Sequence, residues 1–261
     1  MKIIDMTDEQ LPLVALCLED WSEEAREAGP TRKCWLERFR AKGLRVKLAA
    51  TDDGVIAGMI QYLPIEHSFV DGEGLYFITC IWVHGHKQGR GNFQKRGMGK
   101  ALLAAAEEDA RAAGAKGMAA WGIRLPFWMK ASWFKRRGYT KTDRQGAAVL
   151  LWKPFTPDAA PPRWFPKGHR LPDPVPGKVN VTAFVNGWCM AMNLTAERAK
   201  RAAAELGDKA AYRVVDTSER EAVAEWGFSD ELFVDGKAVR NGPPPSYAKL
   251  QKLLKKRARR L

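Results

Sequence analysis

Cysteine, histidine and long apolar segments are all scarce in this chain of 261 residues. Its four cysteines, Cys17, Cys34, Cys80 and Cys189, lie far apart and form no CxxC pair. We therefore expect reduced thiols rather than a disulfide framework. The four histidines add no spacing that is typical of zinc ligands, so no metal site is predicted.

The chain also lacks a recognisable export or membrane segment. Asp5, Asp8 and Glu9 interrupt the N-terminus, which argues against a secretory signal peptide. The long uncharged run at 179–196 contains three asparagines and changes periodicity halfway, so we do not expect it to span a membrane. These features predict a cytoplasmic protein with no membrane partner.

The composition excludes wholesale disorder, since hydrophobic residues make up 46% of the chain and charged residues 28%. The prolines indicate where the chain divides into domains. Eight of the fifteen prolines lie within 154–176, where neither a helix nor a central strand can continue. We predict a domain at 1–153, a Pro-rich linker at 154–177 and a second domain at 178–261.

The net charge of +13 is concentrated near the C-terminus. Seven Lys or Arg residues and no acid lie within 249–260. Such a run fits either the solvated end of a helix, whose dipole favours cations, or a nucleic-acid contact through phosphates. We favour the helix end and keep the nucleic-acid contact as an alternative.

Periodicity indicates an α/β (α+β) fold in the first domain. Helical spacing occurs at 11–21 and 31–41, followed by two strands that turn at Asp53-Gly54. Residues 74–83 are apolar on both faces, as in a strand at the middle of a covered sheet. A glycine-rich loop and an alanine-rich helix at 98–113 come next.

The loop between that strand and that helix carries the clearest chemical signal. It reads QKRGMGKALL at 94–103, and Gly97 and Gly99 let the main chain approach a ligand closely. The first free amides of a helix attract phosphate, and Lys95, Arg96 and Lys100 add positive charge. Neither GxGxxG nor the P-loop pattern fits, so a phosphorylated ligand of another kind is predicted.

This combination of the strand IWV, a QxxGxG loop and a helix that begins KALL resembles the acetyl-CoA site of the GNAT acetyltransferase superfamily. The later segment ASWFKRRGYTK at 131–141 is similar to a second block of that family. The resemblance covers residues 1–153 and implies a mixed central sheet. It also implies that the main chain of Ile81 and Val83 binds the pantetheine arm and the acetyl carbonyl. Pyrophosphate and cofactor contacts would come from Gln94, Lys95, Arg96, Gly97, Met98, Gly99 and Lys100.

The sequence departs from the family pattern at the proton donor. Phe134 stands where a tyrosine is often found, and Trp128 where an asparagine is often found. Ser132 or Tyr139 are candidate donors instead, or the thiolate leaves unaided. Glu73 is a candidate base.

Other residues near this region have competing interpretations. Glu66 is a further candidate base, although a solvated loop carboxylate is the simpler interpretation of both glutamates. Cys80 is interpreted as a buried structural thiol, and His84 and His86 as loop residues rather than metal ligands. A run of aromatic side chains serves either the core or a pocket for an apolar acceptor, and its members are Trp121, Phe127, Trp128, Trp133 and Phe134.

The second domain is predicted in the order βαβαββα. With Trp188-Cys189 at a strand-to-helix junction, it looks like a thioredoxin-like domain, and the whole chain is similar to the YoaP type of GNAT protein. In thioredoxin-like domains a second cysteine follows three residues later, but Met192 occupies this position here. Cys189 is thus a possible reactive monothiol, in a domain that we expect to bind or present a substrate.

We therefore predict an acetyl-CoA-dependent N-acetyltransferase that acts on a primary amine of a small molecule or peptide. Two alternatives stay open: a catalytically inactive CoA-binding or regulatory module, and a nucleic-acid-associated modifier that uses the basic tail. The oligomeric state is not predicted.

Overall fold

The computed structural model describes residues 1–124, 128–168, 170–239 and 244–261. The chain divides into two compact units. The first consists of Met1–Trp21 and Leu36–Phe165, and the second of Ser22–Trp35 and Pro166–Leu261. Within the described ranges, no helix is both long and apolar enough to cross a membrane.

Up to residue 165 the helices and strands, in chain order, are β1 (Lys2–Asp5), α1 (Leu11–Ala15), α2 (Glu23–Arg40), β2 (Arg45–Ala50), β3 (Ile56–Pro64), β4 (Val70–Asp71), β5 (Leu75–Val83), α3 (Met98–Ala112), β6 (Gly117–Ile123), α4 (Ala131–Lys135), β7 (Thr140–Gln145), β8 (Ala148–Pro154) and β9 (Arg163–Trp164). A short 3-10 helix, Ile65–His67, follows β3.

Seven of these strands form one mixed sheet in the order β1-β2-β3-β5-β6-β8-β7. β5 and β6 are parallel, whereas the other neighbouring strands pair antiparallel. β3 is buried along nearly its whole length, because α3 packs on one face through Leu102, Ala106 and other small or apolar side chains. Burial of both faces explains why β3 and β5 are almost continuously apolar.

Helices were correctly predicted within 11–21 and 31–41, but their bounds differ from the prediction. α1 ends at Ala15, and Cys17 and Leu18 take left-handed conformations with φ of 55° and 64°. Leu18 is fully buried. The apolar spacing that suggested a helix up to residue 21 therefore reflects the packing of an irregular segment after α1. α2 begins at Glu23, well before residue 31, and contains Pro30 within it.

The sheet opens between β5 and β6. Their pairing runs only from Leu75–Gly117 to Ile78–Ala120. At the next position, Thr79 is the extra residue of a β-bulge, since Gln61 pairs with Cys80 but the following residue of β3 pairs with Ile78. Bulges bend a strand and increase its twist, so the two strands separate beyond this point.

The second unit contains a four-stranded sheet in the order β11-β10-β12-β13. Its elements follow the predicted order: β10 (Val179–Val185), α5 (Met190–Ala204), β11 (Ala210–Asp216), α6 (Arg220–Trp226), β12 (Glu231–Val234), β13 (Lys237–Ala238) and α7 (Tyr247–Ala258). Ser22–Trp35 also belongs to this unit, because Arg198 of α5 binds the Glu24 carboxylate at 3.0 and 2.5 Å. No feature of the sequence indicated that attachment.

Candidate active site

A pocket of about 420 Å³ lies where β5 ends and α3 begins. Its walls come from the end of β5, the loop before α3, the first residues of α3, and α4 with the residues before it. The lining residues are Ile81, Trp82, Val83, Phe93, Gln94, Lys95, Gly97, Met98, Gly99, Lys100, Trp128, Met129, Lys130, Trp133, Phe134 and Arg137. The structure thus brings together eight of the nine cofactor residues predicted from sequence.

The main chain at the end of β5 faces this pocket. Successive residues of a strand direct their N–H and C=O groups to opposite neighbours. The His84 amide donates to Ala57 O on the β3 side at 2.9 Å. The polar main-chain groups of Ile81 and Val83 therefore point away from β3, into the opening beside β6. In agreement, Val83 O accepts a hydrogen bond from Gln94 Nε2 at 3.3 Å.

The loop before α3 presents a row of free amides. Lys95 and Gly97 have φ of 64° and 82°, so the main chain turns twice within three residues. Among the described residues, the N–H groups from 95 to 99 find no acceptor, whereas those of Lys100 and Ala101 bond to Gly97 O. Such a concave row of N–H groups at a helix N-terminus binds anions.

Two residues of the predicted loop take other roles. The Gln94 amide donates to Asn92 Oδ1 at 3.0 Å and is not available to a ligand. Arg96 is absent from the lining of the pocket, and its guanidinium lies 5.1 Å from the Phe93 ring centroid. Lys95 and Lys100 are exposed and border the pocket, where they add positive charge.

Sequence reasoning missed Arg137 as a pocket residue. Its guanidinium stacks 3.6 Å from the Trp133 ring centroid and donates to Trp133 O at 2.7 Å. The Arg137 Nε atom is buried and has no hydrogen-bond partner among the described residues. Burial, followed by the nearby charge of Arg136, lowers the pKa of Arg137 from its usual value. The positive segment KRR at 135–137 was a visible signal, but it did not indicate which cation faces the ligand.

The three catalytic candidates do not gather at the pocket. Glu73 is exposed and precedes β5, which is nine residues long; it therefore lies roughly 30 Å along the strand from Val83. Ser132 is an exposed residue of α4. Tyr139 is 2% exposed and packs edge-on against Phe134. Burial, and then the Glu107 carboxylate, raise the pKa of Tyr139 well above its usual range.

Glu66 serves a local structural contact, since its Oε1 accepts a hydrogen bond from the Gly74 amide at 2.6 Å. Cys80 is 2% exposed, as a structural thiol would be. In the second unit, Cys189 is the N-cap residue of α5 and is 7% exposed. In the part of the chain that is described, no three His, Cys, Asp or Glu side chains group in a way that could hold a metal ion.

Aromatic side chains form one wall of the pocket. Phe134 is fully buried and Trp128 is partly buried, and both border the cavity at the two positions where the family pattern was expected to carry polar residues. Trp128 also packs edge-on against Trp121 at 5.3 Å, and Trp121 Nε1 donates to Thr79 O at the opening of the sheet. Phe127 lies outside the described residues.

Comparison with protein-family models gives one family for this region. Residues 11–139 match the model described as the acetyltransferase (GNAT) family. The chain contains a GNAT acetyltransferase domain. This domain is an acyltransferase. No curated protein matches the chain.

Solved acetyltransferase structures resemble part of the chain. PaiA N-acetyltransferase from Thermoplasma acidophilum, in complex with coenzyme A, is 18% identical, with 59% of this chain and 100% of that one covered and a TM-score of 0.44. A GNAT acetyltransferase from Brucella melitensis, in complex with acetyl-CoA, is 19% identical, with 61% and 91% covered and a TM-score of 0.41.

Arg137 is expected to contribute to cofactor affinity. We predict that Arg137→Ala raises the Kd for acetyl-CoA about tenfold, because a charge-assisted hydrogen bond to phosphate contributes about 1.5–3 kcal/mol. Isothermal titration calorimetry at low and high salt measures the change. Arg136→Ala is the matched control, since Arg136 is the exposed neighbouring cation and does not line the pocket. An equal loss in both variants would contradict a specific contact.

Proposed function

We propose that the GNAT domain transfers the acetyl group of acetyl-CoA to a primary amine of a small molecule or peptide. The observation that carries this proposal is the opening between β5 and β6, which exposes main-chain groups of Ile81 and Val83 to the pocket. An N–H group fixed at this point would polarise the acetyl carbonyl and stabilise the negative charge of the tetrahedral intermediate. A thioester held there is open to attack by an amine from the sheet side.

The cofactor contacts follow from the same geometry. The free amides of Lys95, Arg96, Gly97, Met98 and Gly99 would hold the pyrophosphate, and Lys95 and Lys100 would supply positive charge around it. Gln94 acts through its side chain, which bonds to Val83 O and ties the loop to β5. Electrostatic stabilisation by these groups is strongest at low ionic strength.

Proton transfer to the departing thiolate needs no tyrosine in this scheme. Phe134 provides an apolar wall, and CoA would leave as a thiolate without an acid because a thiolate is a weak base, the pKa of an ordinary cysteine thiol being about 8.5. Ser132 and Tyr139 stay predictions as donors, and Glu73 stays a prediction as base.

The proposed acceptor class is tested by measuring CoA release. Purified full-length protein is incubated with acetyl-CoA and with spermidine, tyramine or a short peptide with a free N-terminus, and the new thiol is titrated. We expect release above background with one or more amines and none with tyrosol, the alcohol in which a hydroxyl replaces the amine of tyramine. Release with the alcohol alone would contradict amine transfer.

The inactive-module alternative has one specific observation in its favour, which is Phe134 in place of a tyrosine. It predicts stoichiometric acetyl-CoA binding without CoA release across the same amines. Turnover with any of them would exclude it.

We also propose that residues 178–261 form a thioredoxin-like domain of the YoaP type, that residues 154–177 link it to a GNAT domain at 1–153, and that the protein is cytoplasmic. The element order and Cys189 at the N-cap of α5 support the domain assignment. Because Met192 replaces the second cysteine, Cys189 would act as a monothiol rather than in a dithiol cycle.

A further inference from the structure

The C-terminal helix α7 has an apolar face and a cationic face. Leu250 and Leu254 are each 1% exposed and pack into the core of the second unit. Since an α-helix turns by about 100° per residue, one set of cations is centred about 160° from this apolar face and points into solvent. They are Lys249, Lys252, Lys256 and Arg259, all of them exposed, and we call them the cationic row.

Two cations of α7 outside the cationic row have acidic partners. Lys255 Nζ lies 3.4 Å from a carboxylate oxygen of Glu205, and Arg257 Nε lies 3.7 Å from one of Asp235. Among the residues that the structure describes, no carboxylate pairs with a side chain of the cationic row. The sequence at 249–260 contains no acid either. The row therefore carries uncompensated positive charge along one side of the helix.

The helix dipole does not account for the cationic row. α7 begins at Tyr247, with Ser246 as its N-cap residue, so Lys249 lies in the first turn. The dipole favours cations in the last turn of a helix and disfavours them in the first. Successive members of the row are also three or four residues apart, a spacing at which like charges repel and destabilise a helix. A solvated helix end therefore explains Arg259 but not Lys249 or Lys252, whereas an anionic partner would relieve the repulsion along the whole row.

The length of the cationic row suits the phosphate backbone of a nucleic acid. At a rise of about 1.5 Å per residue, Lys249 and Arg259 lie about 15 Å apart along the helix axis. One strand of a DNA duplex places a phosphate about every 3.4 Å, so about four phosphates extend over the same distance. Each cation of the row would thus have a phosphate to compensate it.

Other anionic partners fit the cationic row less well. A helix that binds a lipid surface buries its apolar face at the boundary of the acyl chains, whereas Leu250 and Leu254 are already buried within the second unit. The core of a protein–protein interface is depleted in lysine, and lysine predominates in the row. Nucleic-acid phosphates have neither restriction, because lysines contact them without reading the bases.

We propose that the cationic row of α7 binds the phosphate backbone of a nucleic acid without sequence preference. The contact is electrostatic, because each lysine or arginine that neutralises a phosphate releases a counterion from the nucleic acid. It lies within the second unit and does not depend on the proposed acetyl transfer. The affinity for acetyl-CoA is therefore expected to be unchanged when the row is removed.

The test measures the fluorescence anisotropy of a labelled DNA duplex of about 24 base pairs that is titrated with the full chain. Excess acetyl-CoA is present, so that the loop before α3 contributes no phosphate contacts. Between about 50 and 200 mM KCl, log Kd should rise with log salt concentration with a slope of about 3–4, since each of about four contacts contributes about 0.9. The triple variant Lys249→Gln, Lys252→Gln, Lys256→Gln should lower this slope to about 1 and raise Kd at about 100 mM KCl at least 50-fold.

The matched control removes three exposed lysines of the first unit, by Lys2→Gln, Lys135→Gln and Lys141→Gln. It has the same net charge as the row variant, and its Kd for the duplex should stay within about threefold of wild type because the phosphate contacts remain. Thermal unfolding followed by circular dichroism checks the fold. The row variant should unfold no earlier than wild type, because repulsion along α7 is reduced.

Several results would overturn the proposal. Wild type that does not bind the duplex at about 50 mM KCl has no such site. An equal loss of affinity in the two triple variants would show attraction by net charge alone. Binding to phosphatidylserine vesicles but not to the duplex would assign the row to a lipid surface. A duplex of scrambled sequence should bind as tightly as the first, and a preference of more than about tenfold would contradict a contact to the backbone alone.

Discussion

Gly97→Glu is expected to abolish acetyl-CoA binding, with a Kd raised at least 100-fold. Gly97 is the N-cap residue of α3, its φ is 82°, and the space beside its Cα is open. A glutamate there would place a carboxylate beside the free amides that we assign to the pyrophosphate. The carboxylate both competes for those amides and repels the phosphates, and a 100-fold change corresponds to about 2.7 kcal/mol.

The same helix offers a matched control at its other end. Gly114 follows the C-terminus of α3, has φ of 81° and also borders open space. Gly114→Glu therefore imposes the same backbone strain, about 1–2 kcal/mol, far from the pocket. Calorimetric titration of both variants should show wild-type affinity for Gly114→Glu. If both variants lose affinity for acetyl-CoA to a similar degree, the effect arises from reduced stability of the fold and not from the binding loop.

Asp230→Asn is expected to change how the second unit responds to pH. Asp230 accepts hydrogen bonds from the Asn186 amide at 3.1 Å and from Ser229 Oγ at 3.0 Å. Burial nevertheless raises the pKa of Asp230 to about 6, because it outweighs these stabilising hydrogen bonds. An aspartate in an unfolded chain has a pKa near 3.9.

The sign follows from proton binding. Between about pH 4 and pH 6 the folded state keeps a proton that the unfolded state has released, so stability falls as the pH rises. A shift of about two pKa units corresponds to about 2–3 kcal/mol. The free energy of unfolding of Asp230→Asn, relative to that of wild type, should therefore rise by about 2–3 kcal/mol as the pH increases from 4 to 7.

Urea unfolding at pH 4 and at pH 7 measures this change. Hydrogen-exchange protection of peptides from β10 and β12 restricts the measurement to the second unit. Asp208→Asn serves as the control, since Asp208 is an exposed residue of the same unit. A stability difference between Asp230→Asn and wild type that is the same at pH 4 and pH 7 would contradict the raised pKa.

Local sequence patterns predict much of the fold around the pocket. Residues 74–83 are apolar on both faces, and they form the buried strand β5, Leu75–Val83. Gly97 correctly indicates the end of the loop, and the periodicity from Met98 onward correctly indicates α3, which includes Gly99. These features depend on neighbouring residues and on burial, which a single sequence reveals.

Features that depend on distant residues were not predictable in this way. Ser22–Trp35 is assigned to the second unit through contacts such as Glu24 with Arg198, which are far apart in the chain. The opening of the sheet depends on the register of β3 against β5 at Thr79.

The contact between the Trp21 and His86 rings shows the same limit most clearly. Trp21 and His86 come from loops far apart in sequence, and no local pattern shows that their rings meet. His84 and His86 were interpreted as loop residues, which describes their position but not their neighbours. Side-chain convergence of this kind determines specificity and is visible only in three dimensions.

The central claim is that this domain moves an acetyl group from CoA to an amine, and mass spectrometry of the products tests it most directly. Protein, acetyl-CoA labelled with ¹³C in both acetyl carbons, and the amines used above are incubated together, with Gly97→Glu in parallel. We predict a labelled N-acetyl amine that forms with wild type and not with the variant. Bound acetyl-CoA that stays intact with every amine, or an equal yield of product with Gly97→Glu, would contradict the account.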